Sequence, residues 1–248
     1  FDDVRVRRAM NLAVNQQEIL DTLLNGEGEV LDYPFSSRWP DYYTPIDKLP
    51  PEGRELYEYH PEKAKQLLAE AGYPDGFEFE IMFAMEDPYH LDLMAMFEAY
   101  YQRIGVKVVA RPLDYPTFRA KMREPDQAAG YLMNVDEGNP FQVLRARFLT
   151  GQTWNAAFHS DTYHDETYYK ALEERDAVTR DAMLRELNVR LIAERIPVVW
   201  LPTPTMYEAW WPYVKNYWGE HSVGAQKPGA IYARIWIDQE LKKKMGCD

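Results

Sequence analysis

With 248 residues, 46% hydrophobic and 27% charged, the chain has an ordinary globular composition and enough length for one large domain or two small ones. The net charge of −12 argues against nucleic acid and against anionic lipid as partners, because both demand Lys and Arg clusters. No run of 18 apolar residues is present, so no membrane insertion is expected, and the single Cys247 has no internal disulfide partner.

In chain order, Asp3 to Val14 has helical periodicity. Asn15-Gln16-Gln17-Glu18 then has the N-x-x-E spacing of a capping box, with Ile19, Leu20, Leu23 and Leu24 behind it, so two short helices are expected to meet at Asn15. The opening, FDDVRVRRAM, has no signal-peptide pattern and begins inside a packed element, so the chain reads as a fragment of a longer protein. Between Val30 and Gly53, five prolines exclude a helix or a central strand. Such a segment is either a functional loop or a wrap around the core.

His60 to Ile81 is the most explicit stretch. Pro61 suits a first helical position, and Ala64, Leu67, Leu68 and Ala71 form one apolar face. Gly72 and Pro74 end the helix, after which Phe77, Phe79 and Ile81 alternate with Glu78 and Glu80 as a strand with one buried face. A second helix from about Pro88 to Ile104, stopped by Gly105, and a strand from Val106 to Pro112 complete a βαβ unit with parallel strands. Asp114 caps a helix running to about Arg123, with Phe118 and Met122 inward. Ala129 to Val135 reads as a doubly covered strand. Further on, a short helix is expected from Phe141 to Phe148, a polar loop to His164, helices over Asp165–Val178 and Arg180–Arg195, and a short strand over Val198–Leu201. From Tyr213 onward short extended segments alternate with loops.

The run from Tyr59 to Gly76, YHPEKAKQLLAEAGYPDG, closely resembles a segment of the family 5 extracellular solute-binding proteins, the dipeptide and oligopeptide receptors of ABC importers. His60 stands where that family usually has Asp, which would be a better N-cap. The segment VRRAMNLAVNQQEILDTLLNGEG resembles a second stretch of the same family, with Asn15 and Gln16 replacing its usual Asp and Arg. The resemblance implies a periplasmic binding protein-like (class II) α/β lobe with a mixed, mainly parallel sheet flanked by helices. It implies residues 1–212 as the second, ligand-binding lobe and 213–248 as a segment returning toward a first lobe absent from this chain.

Catalytic patterns are missing: no G-x-S-x-G, no P-loop, no H-E-x-x-H and no C-x-x-C, and Cys247 has no nearby His to activate it. Gly26 and Gly28 read as a turn. No enzyme activity and no cofactor are therefore expected. In HSDTYHD, the residues His159, Asp161, His164 and Asp165 are of metal-ligating types, but a solvated loop explains them better and no metal site is expected. Asp136 lies where a buried strand ends, the usual address of ligand groups in open α/β sheets, and its carboxylate can pair with a ligand ammonium. The same residue can equally cap a turn. The resemblance places Asp136 at the family's ammonium-binding Asp, with Asn139 replacing a second acid. Trp154, Phe158, Trp200, Trp210 and Trp211 offer flat rings for ligand side chains or for core packing. Of these, Trp154 in its polar loop, together with Asn155, is the binding candidate, and the resemblance supports the choice.

Taken with the resemblance, these residues imply capture of a peptide or similar small solute outside the cell or in the periplasm, and delivery to ABC transporter permease subunits. Oligosaccharide or nickel-chelate binding, a ligand-sensing module, and more remotely an α/β hydrolase remain as alternatives.

Overall fold

The computed structural model describes residues 1–31, 33–86, 88–124, 129–132, 139–205, 207–220 and 229–246. Its first third is helical: α1 (Val4–Leu12), α2 (Gln16–Leu23), the two-residue β1 (Gly28–Glu29), a 3-10 turn at Ile46–Lys48, the single-turn α3 (Pro51–Arg54) and α4 (Pro61–Glu70). Asn15 accepts from the Glu18 amide, so the cap expected there forms, and Asp3 caps α1 by accepting from the Arg5 amide. Only half of the capping box at Asn15 is made, because the Glu18 carboxylate accepts instead from the Tyr100 hydroxyl at 2.9 Å. His60 heads α4 without a side-chain cap, its ring meeting Glu58 at 2.8 Å. The Pro-rich stretch wraps the core: Leu31, Phe35 and Leu49 are buried within it, and Trp39 and Tyr42 pack edge-on against Phe35.

At the end of α4, Gly72 takes φ 96°, Tyr73 donates to the Leu68 carbonyl at 2.8 Å and Gly72 to that of Ala69 at 3.0 Å. That is the Schellman stop which the glycine foretold. The chain then enters β2 (Glu78–Ala84), passes through α5 (Pro88–Arg103) and returns as β3 (Lys107–Leu113), parallel to β2 from Glu78↔Lys107 to Ala84↔Leu113. After α6 (Tyr115–Lys121), β4 (Ala129–Leu132) pairs parallel with the other edge of β2, which gives the order β3-β2-β4. The rest of the strand expected through Val135 falls outside the described residues.

The two faces of β2 do different work. Phe79, Ile81 and Phe83 point into the main core with Leu93, Phe97, Tyr101 and Val108. Met82 and Ala84 point the other way, into a small second cluster with Phe118 and Met122 that Leu113, Trp154 and Ala156 cover. The expected inward residues of α6 are thus buried, and Asp114 caps that helix by accepting from the Thr117 amide at 3.0 Å.

Beyond the sheet come α7 (Pro140–Phe148), α8 (Thr162–Glu173), α9 (Ala177–Arg190) and a π-helical turn at Leu191–Arg195. The helix break falls at 174–176 rather than near Val178, because Asp176 caps α9 through the Thr179 amide at 2.8 Å. Likewise α8 begins three residues early, at the cap Asp161. The strand expected at Val198–Leu201 does not form; strand pairing comes at β5 (Thr203–Pro204), antiparallel to β1. The apolar run is instead clamped to α1: Asn11 donates to the Val198 carbonyl at 3.1 Å and accepts from the Trp200 amide at 3.0 Å. Arg7 and Arg8 add bonds to the carbonyls of Arg195, Ile196 and Ala193. The C-terminal segment holds β6 (Val214–Lys215) antiparallel to β7 (Trp236–Ile237), with the short α10 (Gly229–Tyr232) and α11 (Gln239–Lys244) beside them.

Candidate functional site

Three parallel strands direct their C-terminal ends to one edge, where loops can gather ligand-binding groups. At that edge Met85 donates to the Leu113 carbonyl at 3.0 Å, and Glu86 accepts from the Tyr115 amide at 3.0 Å. Asp114 lies beside them, its carboxyl held below the ordinary range by its hydrogen bonds from Thr117. Asp136, the leading candidate, lies outside the described residues.

Asn139 is exposed at the head of α7, where its side chain accepts from the Gln142 amide at 2.9 Å. Asn155 is buried and ties the following loop together: it donates to the carbonyls of Leu149 (3.0 Å) and His159 (2.7 Å) and accepts from the His159 amide (2.9 Å). Since Leu149 caps the far end of α7, that helix, about 13 Å long at 1.5 Å per residue, separates Asn139 from the loop of Asn155.

Trp154 is half-buried against the second cluster. Its indole lies under the guanidinium of Arg119, 3.9 Å from the ring centroid, with Arg123 at 4.5 Å and Arg147 at 5.9 Å. Contacts of this kind contribute about 0.5–1 kcal/mol each where solvent reaches them. Sequence reasoning missed these arginines. The only local signal was the i, i+4 spacing of Arg119 and Arg123 after the Asp114 cap, and Arg147 comes from a different helix.

The HSDTYHD segment is solvated only in part, with Ser160, Thr162 and Tyr163 exposed. His159 and His164 are buried, 5.7 Å apart between ring centroids, and both rings stand edge-on to Phe148. Burial pushes His159 down to about 4, with the neighbouring His164 adding to the effect; burial lowers His164 as well. Asp161 meets Arg190 and Arg195, each at 3.2 Å, and Asp165 accepts from the Thr150 amide. Among the described residues no three His, Cys, Asp or Glu side chains converge to hold a metal.

The remaining tryptophans do not form one cluster with Trp154. Trp200 is buried near Tyr33, Trp210 packs edge-on to Tyr217 at 4.9 Å, and Trp211 stacks on Tyr213. Surface grooves lined by Tyr163, Arg185 and Glu194, and by Gln17, Ile46 and Arg54, take no residue from the strand ends.

Residues 1–155 match the family of bacterial extracellular solute-binding proteins, family 5 Middle, and the chain belongs to that family. Heme-binding protein A of Haemophilus influenzae is 32% identical over 149 residues, which cover 58% of this chain and 26% of that protein. Among solved structures, HbpA2 from Haemophilus parasuis matches with a TM-score of 0.69 and 28% identity, over 82% of this chain and 40% of that one. The periplasmic binding protein DppA from Helicobacter pylori, in complex with the peptide STSA, matches with a TM-score of 0.73 over 96% of this chain and 44% of that one. At 21% identity it bears on the fold alone. The chain therefore spans about a quarter of that curated relative and less than half of either solved neighbour. The fold is that of the class II periplasmic binding proteins, and no helix among the described residues is long and apolar enough to cross a membrane.

Proposed function

We propose that this chain is the second lobe of a solute receptor that captures peptides or similar small solutes for an ABC importer. The observation that carries the reading is the three-stranded parallel sheet with the Asp114-capped start of α6 and the Trp154 loop at the edge where its strands end, in a chain of family 5. Residues 1–212 form the ligand lobe, and 213–248 lead back to a first lobe. Trp211, Trp218, Tyr232 and Trp236 are each more than half exposed, which supports a packing partner for that end. Closure of two lobes by hinge motion buries the solute between them and presents the closed form to permease subunits. The receptor works in the periplasm or at the outer face of the cell membrane and performs no chemistry of its own.

In this reading Asp136 pairs with the ligand ammonium, Asn139 and Asn155 hold the flanking backbone in place, and Trp154 borders the solute. Calorimetric titration of the full-length protein with mixed di- to pentapeptides, beside an Asp136→Ala variant, tests it. Binding that the variant loses supports both the peptide class and the role of Asp136, whereas binding that survives leaves Asp136 as a turn residue. Absence of any peptide binding removes the peptide class. A second reading, with an iron porphyrin as the solute, is favoured by the relative named heme-binding protein A. A hemin titration followed by absorbance distinguishes it.

A further inference from the structure

We propose that Arg119 and Arg123, held on the indole of Trp154, form an oxyanion-binding site, so that the receptor prefers solutes carrying a carboxylate or phosphate besides whatever the strand ends recognise. The inference rests on the solute-receptor reading above.

The first observation is charge placed against the trend of the molecule. In a chain of net charge −12, three guanidiniums converge on one ring. Arg119 and Arg123 have centroid distances of 3.9 and 4.5 Å to the same indole, which puts them within roughly one Debye length of each other, ~8 Å at physiological ionic strength. Two cations this close repel, and an anion held between them would relieve that repulsion.

The second observation is that no carboxylate among the described residues supplies that anion. Nearby basic side chains have acidic partners: Arg111 pairs with Glu80 at 2.9 Å, and Lys121 with Glu124 at 2.9 Å. Among the described residues, Arg119 and Arg123 have no carboxylate partner, and their only contacts are aromatic: Tyr115 and Trp154 for Arg119, and Trp154 for Arg123. A guanidinium whose polar partners are aromatic rings alone keeps N–H groups to donate, and those groups match a carboxylate or phosphate in bidentate geometry.

The third observation is location and rigidity. Trp154, the α6 residue Phe118 and Met122 just past that helix close the second hydrophobic cluster against Met82 and Ala84 at the end of β2. Asn155, immediately after the indole, is locked by three hydrogen bonds, so the platform is preorganised. The ring's face is taken by guanidinium, so Trp154 offers a solute the donors stacked upon it rather than a stacking surface.

Full-length protein titrated with the C-terminally amidated peptides Ala-Asp-Ala-Ala-NH2 and Ala-Asn-Ala-Ala-NH2, which differ by the single carboxylate, gives the ratio of two dissociation constants. The expected result is a preference of about tenfold for the acidic peptide at low salt, shrinking as salt is raised. The double variant Arg119→Met/Arg123→Met, which keeps the apolar stems on the ring, brings the ratio close to one, while Arg175→Met, an exposed control, keeps it. A ratio near one in the natural protein, or a preference that survives the double change, overturns the proposal. A second readout needs no variant and no peptide: the Nε–H resonances of Arg119 and Arg123, followed by NMR during addition of succinate or inorganic phosphate. Saturable shifts support the site and show which oxyanion it favours, and shifts that never saturate overturn it. Saturable shifts with no peptide binding sink the peptide reading but not the anion site. Peptide binding without such shifts does the reverse.

Discussion

Asn155 shows how a polar side chain that suits a ligand can serve the backbone instead. Both ends of its carboxamide are used within the loop 149–159, at 4% exposure. Replacing it by Ala removes the side-chain partner of the His159 amide and carbonyl and one of the two donors to the Leu149 carbonyl, which keeps the Gln152 amide at 3.4 Å, so a loss of about 2–3 kcal/mol in chemical denaturation is expected. Asn155→Asp is expected to cost as much, since a carboxylate cannot donate to two carbonyls; a stable Asp variant would refute the account. His159 adds a pH dependence. Its imidazole, held neutral to about 4 by burial, gains a proton near 6.5 once the chain unfolds. The unfolded state therefore binds more protons across that interval, and stability falls as pH drops from 6.5 toward 4, by on the order of 2–3 kcal/mol from this residue. Melting temperatures measured across that range should converge for the natural protein and His159→Gln at neutral pH and separate at acid pH, with the variant losing less.

Among the elements, helix starts and stops hold the clearest tests. Asn15→Ala removes the cap of α2 and should cost about 1 kcal/mol. His60→Asp should do the opposite at α4, adding about 0.5–1 kcal/mol, because an Asp can accept from the first-turn amides that His60 leaves uncapped. Denaturant midpoints at constant slope check both, and a His60→Asp variant no more stable than the parent removes that reading of the helix start. Gly76 marks where β2 and β3 begin side by side: it has φ 76°, and a Cβ there would stand 1.9 Å from the Gly105 carbonyl oxygen. Gly76→Ala is therefore expected to disrupt the parallel pairing, read as a fall of several degrees in melting temperature.

For the whole molecule, the decisive quantity is how much binding surface this chain carries. If it is one lobe of a two-lobed receptor, the isolated chain should bind peptide only weakly, in the millimolar range, because affinity depends on a few well-buried contacts drawn from both walls. Micromolar affinity in the isolated chain would count against the two-lobed reading. The exposed Trp211, Trp218 and Trp236 also predict that the isolated chain associates with itself or binds apolar dyes, and that serine at these positions suppresses both. Sedimentation velocity with the triple variant checks this; unchanged association would place the sticky surface elsewhere.

Residues 60–81 and the βαβ unit were legible because period, cap and stop all lie within about ten residues of one another, and local agreement of that kind survives into the fold. Helix and strand identities, the Asn15 and Asp114 caps, the Gly72 stop and the family resemblance all come from such short-range text. The apolar run Val198–Leu201 has the composition of a strand without forming one, because periodicity cannot show that Asn11, almost two hundred residues earlier, takes its backbone bonds. Nor could it show that His159 and His164 pack on Phe148, or that arginines from α6 and α7 meet on Trp154. Those facts depend on which distant residues share a face, and only the packing of helices around the sheet decides that.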